Sequence, residues 1–110
     1  MEIKIEKAAS LKEKPDQNNL GFGKYFTDHM FILDWNKEKG WHDARIVPYG
    51  PIAMDPATMV LHYAQETFEG LKAYTTEHGK IVTFRPDLNA SRMANTAKRL
   101  EMPPFPEDRF

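Results

Sequence analysis

The pattern of apolar residues predicts an α+β fold: an antiparallel sheet with helices. Two stretches, 26–47 and 71–84, have the composition of strand pairs joined by turns, and residues 88–100 have helical spacing. The strands and helices come in blocks, without the strand–helix–strand alternation of a parallel sheet. A length of 110 residues suits one domain. We expect residues 1–19 to form an arm and linker, and residues 20–110 to form a small α+β domain.

The first strand pair is indicated by aromatic and β-branched residues. Phe26–Trp35 is rich in them, Asn36–Gly40 has turn composition, and Trp41–Val47 returns as a second strand before Pro48. A second hairpin is expected from strands at Leu71–Thr75 and Ile81–Phe84, with its turn at Glu77–Lys80. All the strands from about residue 25 onward are expected to join one antiparallel sheet.

Proline and small apolar residues indicate the helices. Asp55 followed by Pro56 is a helix-start signal, which predicts a helix through Tyr63. Another helix is expected after Pro86, and Glu107–Asp108 has the acidic character of a helical first turn. The residues expected on the inward side of the helix after Pro86 are Ala90, Met93, Ala94, Ala97 and Leu100.

Composition and charge exclude several classes of function. The formal net charge is −1, so no global field attracts nucleic acid or an anionic membrane. There are no cysteines, which excludes disulfides, thiolate metal sites and a cysteine nucleophile. The first residues contain no apolar run typical of a signal peptide, and a cytoplasmic location is expected.

Few residues by themselves suggest a catalytic or ligand-binding role. Lys80, Arg85, Arg92, Lys98 and Arg99 form a basic group that would suit a phosphate, although a solvated helix face is the commoner reading of such a group.

The histidine pairs are interpreted as structural. His62 and Glu66 have metal-ligand spacing but lack a third ligand, so no metal site is expected. Asp28 and His29 lack a nucleophile to activate. Lys72, alone on a predicted strand, is interpreted as a surface residue.

Tyr63 and Phe68 form the one aromatic feature that suggests a concave site. They are predicted to lie at the end of a helix and the start of a strand, where two rings can line one corner. Ordinary core packing of the aromatic rings is the stronger interpretation from the residues alone.

Four blocks of sequence resemble the branched-chain amino-acid aminotransferases, which are fold type IV pyridoxal-phosphate enzymes. The block at 61–74 contains the His-Tyr and Phe-Glu-Gly motifs, and the block at 20–30 contains Phe-Thr-Asp-His-Met, the motif typical of the branched-chain subgroup. The other two blocks are Gly40–Trp41 and Phe84–Met93. The resemblance implies the small N-terminal domain of an enzyme that moves the amino group of leucine, isoleucine or valine to 2-oxoglutarate.

The resemblance also implies roles for four residues. Arg92 matches the arginine that binds the phosphate of pyridoxal phosphate. Tyr63 and Phe68 match walls of the substrate pocket, and Phe22 matches a third aromatic residue there. In dimers of such enzymes the tyrosine serves the neighbouring subunit, so a homodimer is expected.

The lysine that bonds the cofactor lies in the larger C-terminal domain of such enzymes, beyond Phe110, and no lysine here matches it. The isolated chain is therefore expected to be inactive. Two alternatives stay open: an enzyme of the same fold acting on a D-amino acid or aminodeoxychorismate, and a stand-alone domain that dimerises or binds an anion without catalysis.

Overall fold

The computed structural model describes residues 1–110, and the chain divides into two units, Met1–Ala53 and Met54–Phe110. Small sheets with few helices make up the chain, which confirms the predicted α+β class. No helix combines the length and apolar character needed to cross a bilayer. The predicted division into residues 1–19 and 20–110 stays a prediction.

A three-stranded sheet forms the first unit. Its strands are β1 (Lys4–Ile5), β2 (His29–Asn36) and β3 (Gly40–Pro48), in the order β1-β3-β2. β2 and β3 form an antiparallel hairpin, as predicted, and β1 adds to β3 in parallel. The turn between β2 and β3 is stabilised by the Asn36 side chain, whose Oδ1 accepts the backbone N–H groups of Glu38 and Lys39 at 3.0 and 2.8 Å.

The hairpin contains a β-bulge that the sequence analysis did not predict. Ile32 pairs with Arg45 but Asp34 pairs with His42, so two residues of β3, 43 and 44, face one residue of β2. Asp43 has φ 54°, a left-handed conformation that aspartate tolerates better than most residues. Nothing in the alternation of apolar residues marks this bulge, because an extra residue of either character interrupts the same pattern.

The N-terminal arm is held by the residues that precede and open β2. The Asp28 carboxylate accepts the backbone N–H of Lys12 at 2.8 Å and the ammonium of Lys14 at 3.3 Å. His29 Nε2 accepts the backbone N–H of Ala8 at 2.9 Å, which requires that nitrogen to be unprotonated. Asp28 and His29 therefore have structural contacts, in agreement with their interpretation from sequence.

Hairpin and helix elements form the second unit. β4 (Ala73–Thr75) and β5 (Ile81–Thr83) pair antiparallel through a turn that contains Gly79 at φ 73°, so the predicted hairpin is confirmed. A 3-10 turn at Glu107–Arg109 follows the proline-rich tail. The α-helices of this unit are α1 (Val60–Tyr63) and α2 (Pro86–Arg99).

The prediction of one sheet is wrong. β4 and β5 form a two-stranded sheet of their own, separate from the sheet of the first unit. The two strands have three residues each and pair only with one another, at three positions. The strand predicted from Leu71 begins only at Ala73, so Leu71 and Lys72 lie outside it.

The helix predicted to begin at Asp55 is also shorter than expected. Asp55 Oδ1 accepts the N–H of Ala57 at 2.7 Å, and its carbonyl accepts the N–H of Thr58 at 2.9 Å. These bonds close a turn on Asp55, which is the competing use of an aspartate side chain at such a position. α1 begins only at Val60 and ends at Tyr63.

α2 agrees best with its prediction. It begins with Pro86 in its first turn, and Ala90, Ala94 and Ala97 are buried along one face. Leu100 was expected on the same face but is 36% exposed, because the helix ends at Arg99 and residue 100 turns away from helical geometry.

The arm contact has a pH dependence that can be measured. The pKa of Asp28 is lowered by the hydrogen bond that its carboxylate accepts from the Lys12 backbone N–H. The ammonium group of Lys14 lowers it further. The stability of the arm contact is therefore complete above the ordinary aspartate pKa of about 3.9 and is lost as the pH falls through the lower value in the folded chain. We expect the NMR shift of the Lys12 amide to titrate with a midpoint below about 3.9.

The matched variants are Asp28→Asn, which should abolish that titration, and Glu13→Gln, which removes an exposed carboxylate of the arm and should leave it unchanged. A midpoint at or above the ordinary aspartate value would contradict the prediction.

Candidate functional site

The segment from Gln65 to Gly70 runs along α2 without forming a sheet. Gln65 Nε2 donates to the Leu100 carbonyl at 2.9 Å, and Asn89 Nδ2 donates to the Gly70 carbonyl at 3.2 Å. Eleven residue steps of helix span about 16 Å, and five extended steps span about 16 Å as well. The two lengths agree with an extended segment, which is attached near both ends of the helix.

Side chains of this segment alternate as they do in a strand. Gln65, Thr67 and Glu69 are partly buried, whereas Glu66 and Phe68 are exposed. The alternation follows from extended geometry, which directs successive side chains to opposite sides. Attachment of Glu69 to α2 therefore leaves Phe68 pointing away from the helix, and its ring is 82% exposed.

The Glu69 carboxylate is the most buried charged group of the segment and has three donors. Arg92 Nε and Nη2 each donate at 2.7 Å, one to each carboxylate oxygen, and Asn89 Nδ2 donates at 2.7 Å. Asn89 and Arg92 are three residues apart and so lie on one face of α2. The Glu69 side chain is only 6% exposed, so every donor counts toward stabilising its charge.

Hydrogen bonding shifts the pKa of both members of the pair. The Arg92 guanidinium, followed by the Asn89 amide, lowers the pKa of Glu69. The same contact with Glu69 raises the pKa of Arg92. Both groups are therefore charged at neutral pH.

Arg92 still has donors to offer. A guanidinium carries five N–H groups, and the contact with Glu69 uses the edge formed by Nε and Nη2. Nη1 has no hydrogen-bond partner, and the side chain is 67% exposed. The outer edge is therefore a free fork of the kind that binds an oxyanion through two hydrogen bonds, and the residue fits a phosphate group.

The aromatic residues predicted for a pocket are all exposed. Tyr63 is the last residue of α1 and is 77% exposed. Phe22 lies in the first unit and is 95% exposed. Neither these two rings nor that of Phe68 belongs to the buried core, which weighs against the core-packing interpretation.

Other residues singled out in the sequence have local partners. Arg85 forms an ion pair with Asp87, with 2.8 Å between Nη2 and Oδ2. His62 Nε2 lies 2.7 Å from the Pro56 carbonyl and donates to it. Lys72 is exposed.

Sequence reasoning missed Glu69 and Asn89 as parts of the site. Glu69 and Arg92 are 23 residues apart, beyond any helical or turn spacing that would indicate a pair. Alternation along the segment did not help, because the sequence favours Phe68 inward and Glu69 outward, whereas the structure exposes Phe68 and buries the Glu69 side chain.

Comparison with known proteins gives one consistent result. A branched-chain-amino-acid transaminase of Bacillus subtilis is 50% identical over 106 residues, which are 96% of this chain and 30% of that protein. A probable branched-chain-amino-acid aminotransferase of Staphylococcus epidermidis is 55% identical over the same share of the chain and 29% of its own length. A branched-chain-amino-acid aminotransferase of Mycolicibacterium smegmatis is 55% identical over 92 residues, 84% of the chain and 25% of that protein.

No protein-family model matches the chain. The relatives are nevertheless similar along nearly all of it, and the chain spans about 30% of their length. By its sequence, therefore, this chain is a homologue of the branched-chain-amino-acid aminotransferases.

Proposed function

We propose that this chain is the small N-terminal domain of a pyridoxal-phosphate-dependent transaminase that moves the amino group of leucine, isoleucine or valine to 2-oxoglutarate. The observation that carries the proposal is identity of 50–55% with proteins of that name along 84–96% of the chain. The free outer edge of Arg92 adds support, since it suits an anion.

Arg92 is the residue we assign to the cofactor. Its outer edge would bind the phosphate group, and its inner edge remains on Glu69. Pyridoxal phosphate, when bound, supplies an electron sink for the amino-acid carbon. What this chain contributes is anchorage of one end of the cofactor, and correct anchorage of a reactant accounts for much of the rate in such reactions.

Tyr63, Phe68 and Phe22 are the residues we assign to the pocket for the substrate side chain. Valine, leucine and isoleucine offer only apolar groups, so a pocket for them has to exclude water and present apolar surface. Exposure of 77–95% leaves these rings available to contact a substrate or a further part of the protein.

Catalysis is proposed to require residues outside this chain. None of its lysines matches the lysine that bonds the cofactor, and we therefore expect the 110-residue chain alone not to transaminate. We propose that the complete protein is a homodimer, with Tyr63 contributed to the site of the neighbouring subunit.

A substrate assay on the complete protein tests the proposed reaction. With pyridoxal phosphate and 2-oxoglutarate present, leucine, isoleucine and valine should each give glutamate, because their side chains match an apolar pocket. D-alanine and aminodeoxychorismate should give little product in parallel assays. Preference for either of these would favour the enzymes of the same fold named above, and no turnover of any substrate would favour a non-catalytic domain.

Truncation of Arg92 tests the phosphate contact. Arg92→Ala in the complete protein should raise the dissociation constant of pyridoxal phosphate by about 10-fold or more, because a charge-assisted, bidentate contact is lost. Binding is measured by isothermal titration of the apo-protein. The control is Arg99→Ala, which removes an exposed arginine at the C-terminal end of the same helix. Equal affinities of Arg92→Ala and the control would contradict the assignment.

Truncation of Phe68 separates a pocket wall from a core residue. Phe68→Ala should raise KM for leucine about 10-fold, since apolar contact with the substrate is lost. The free energy of unfolding should change by less than about 0.5 kcal/mol, as for other surface positions. Phe84→Ala is the matched control, because that ring is also 82% exposed and has no proposed role. Unfolding of the Phe68 variant, or an unchanged KM, would remove the support for a pocket.

A further inference from the structure

The contact between Glu69 and Arg92 determines which edge of the guanidinium is available. The Glu69 carboxylate accepts hydrogen bonds from Arg92 Nε and Nη2, each at 2.7 Å, so rotation of the guanidinium is restricted. Nη1 is left on the side that faces away from Glu69. Without that carboxylate, a side chain that is 67% exposed would sample many rotamers. Ordering such a side chain for a ligand then costs affinity.

Glu69 is itself held in place by Asn89, which contacts both its side chain and the next residue of the backbone. Asn89 Nδ2 donates to its carboxylate at 2.7 Å and to the Gly70 carbonyl at 3.2 Å. The carboxylate is thus fixed relative to α2, the helix that also carries Arg92. A charge that is 6% exposed would be costly here unless it were paired, and it accepts three hydrogen bonds from Arg92 and Asn89.

We propose that Glu69 is a positioning residue: its carboxylate fixes the inner edge of the Arg92 guanidinium so that the outer edge is preorganised for the phosphate group of the cofactor. The proposal rests on the function proposed above and adds a residue to it. Glu69 does not touch the phosphate in this arrangement and acts only through Arg92. A negative charge behind the guanidinium lowers its net attraction for an anion, so the gain comes from orientation.

The test is a double-mutant cycle in the complete protein. Glu69→Gln keeps the size of the side chain but replaces one acceptor oxygen by an amide donor, which cannot receive the guanidinium edge. We expect it to raise the dissociation constant of pyridoxal phosphate by about 10-fold. In the Arg92→Ala background the same change should have no further effect, because the residue that Glu69 positions is gone.

Two controls make the test specific for phosphate orientation. Glu66→Gln removes a nearby exposed carboxylate and should change the dissociation constant less than about twofold, as expected for a surface residue. Pyridoxal, which lacks the phosphate, should bind wild type and Glu69→Gln equally. A general structural defect would weaken both ligands and would persist in the Arg92→Ala background.

The outcomes separate this proposal from the assignment of Arg92. If Arg92→Ala weakens binding but Glu69→Gln does not, positioning is overturned and the phosphate contact stands. If Arg92→Ala has no effect, both are overturned. If Glu69→Gln fails to fold, Asn89→Ala replaces it; this variant removes one donor to Glu69 and should weaken pyridoxal phosphate by about threefold without weakening pyridoxal. Unchanged phosphate affinity of that variant would overturn positioning.

Discussion

The ion pair between Glu69 and Arg92 is the contact on which the arrangement of the candidate site depends. It joins an extended segment without sheet partners to the longest helix of the chain, and it does so with both oxygens of one carboxylate. Because neighbouring side chains of an extended segment point to opposite sides, fixing Glu69 inward also fixes Phe68 outward. One buried charge thus determines the direction of an exposed cation and of an exposed aromatic ring.

A segment held in this way has properties that a paired strand lacks. Its backbone groups are largely free of sheet partners, and it is attached to α2 through Gln65, Glu69 and Gly70. Side-chain attachment of this type is specific, because a shift of one residue would direct Glu69 away from the helix and leave Arg92 without its acceptor. The hydrogen bonds between these oppositely charged groups also explain why the pKa of Glu69 is lowered and the pKa of Arg92 is raised.

In the first unit, too, polar side chains hold a segment in place through hydrogen bonds, and here the segment is the N-terminal arm. Asp28 and His29, at the start of β2, accept backbone N–H groups of the N-terminal arm. The Lys12 ammonium lies 4.8 Å from the centre of the Tyr49 ring, which stacks on Phe26 at 5.2 Å. The motif that indicated the branched-chain subgroup in the sequence thus has an evident role in holding this arm. The structure gives a physical reason for its polar residues that the motif alone did not.

Local patterns in the sequence determined the elements whose signals lie within a few residues of one another. The hairpin β2–β3, the turn at Gly79 and the alanine face of α2 all follow from turn composition or periodicity, and all were predicted. The resemblance to aminotransferases likewise depended on contiguous blocks. Tertiary structure alone decided the bulge at Asp43, the division into two sheets and the partner of Arg92. The reason is that these features depend on which distant groups compete for the same donor or acceptor, and that competition is settled only when the chain has folded.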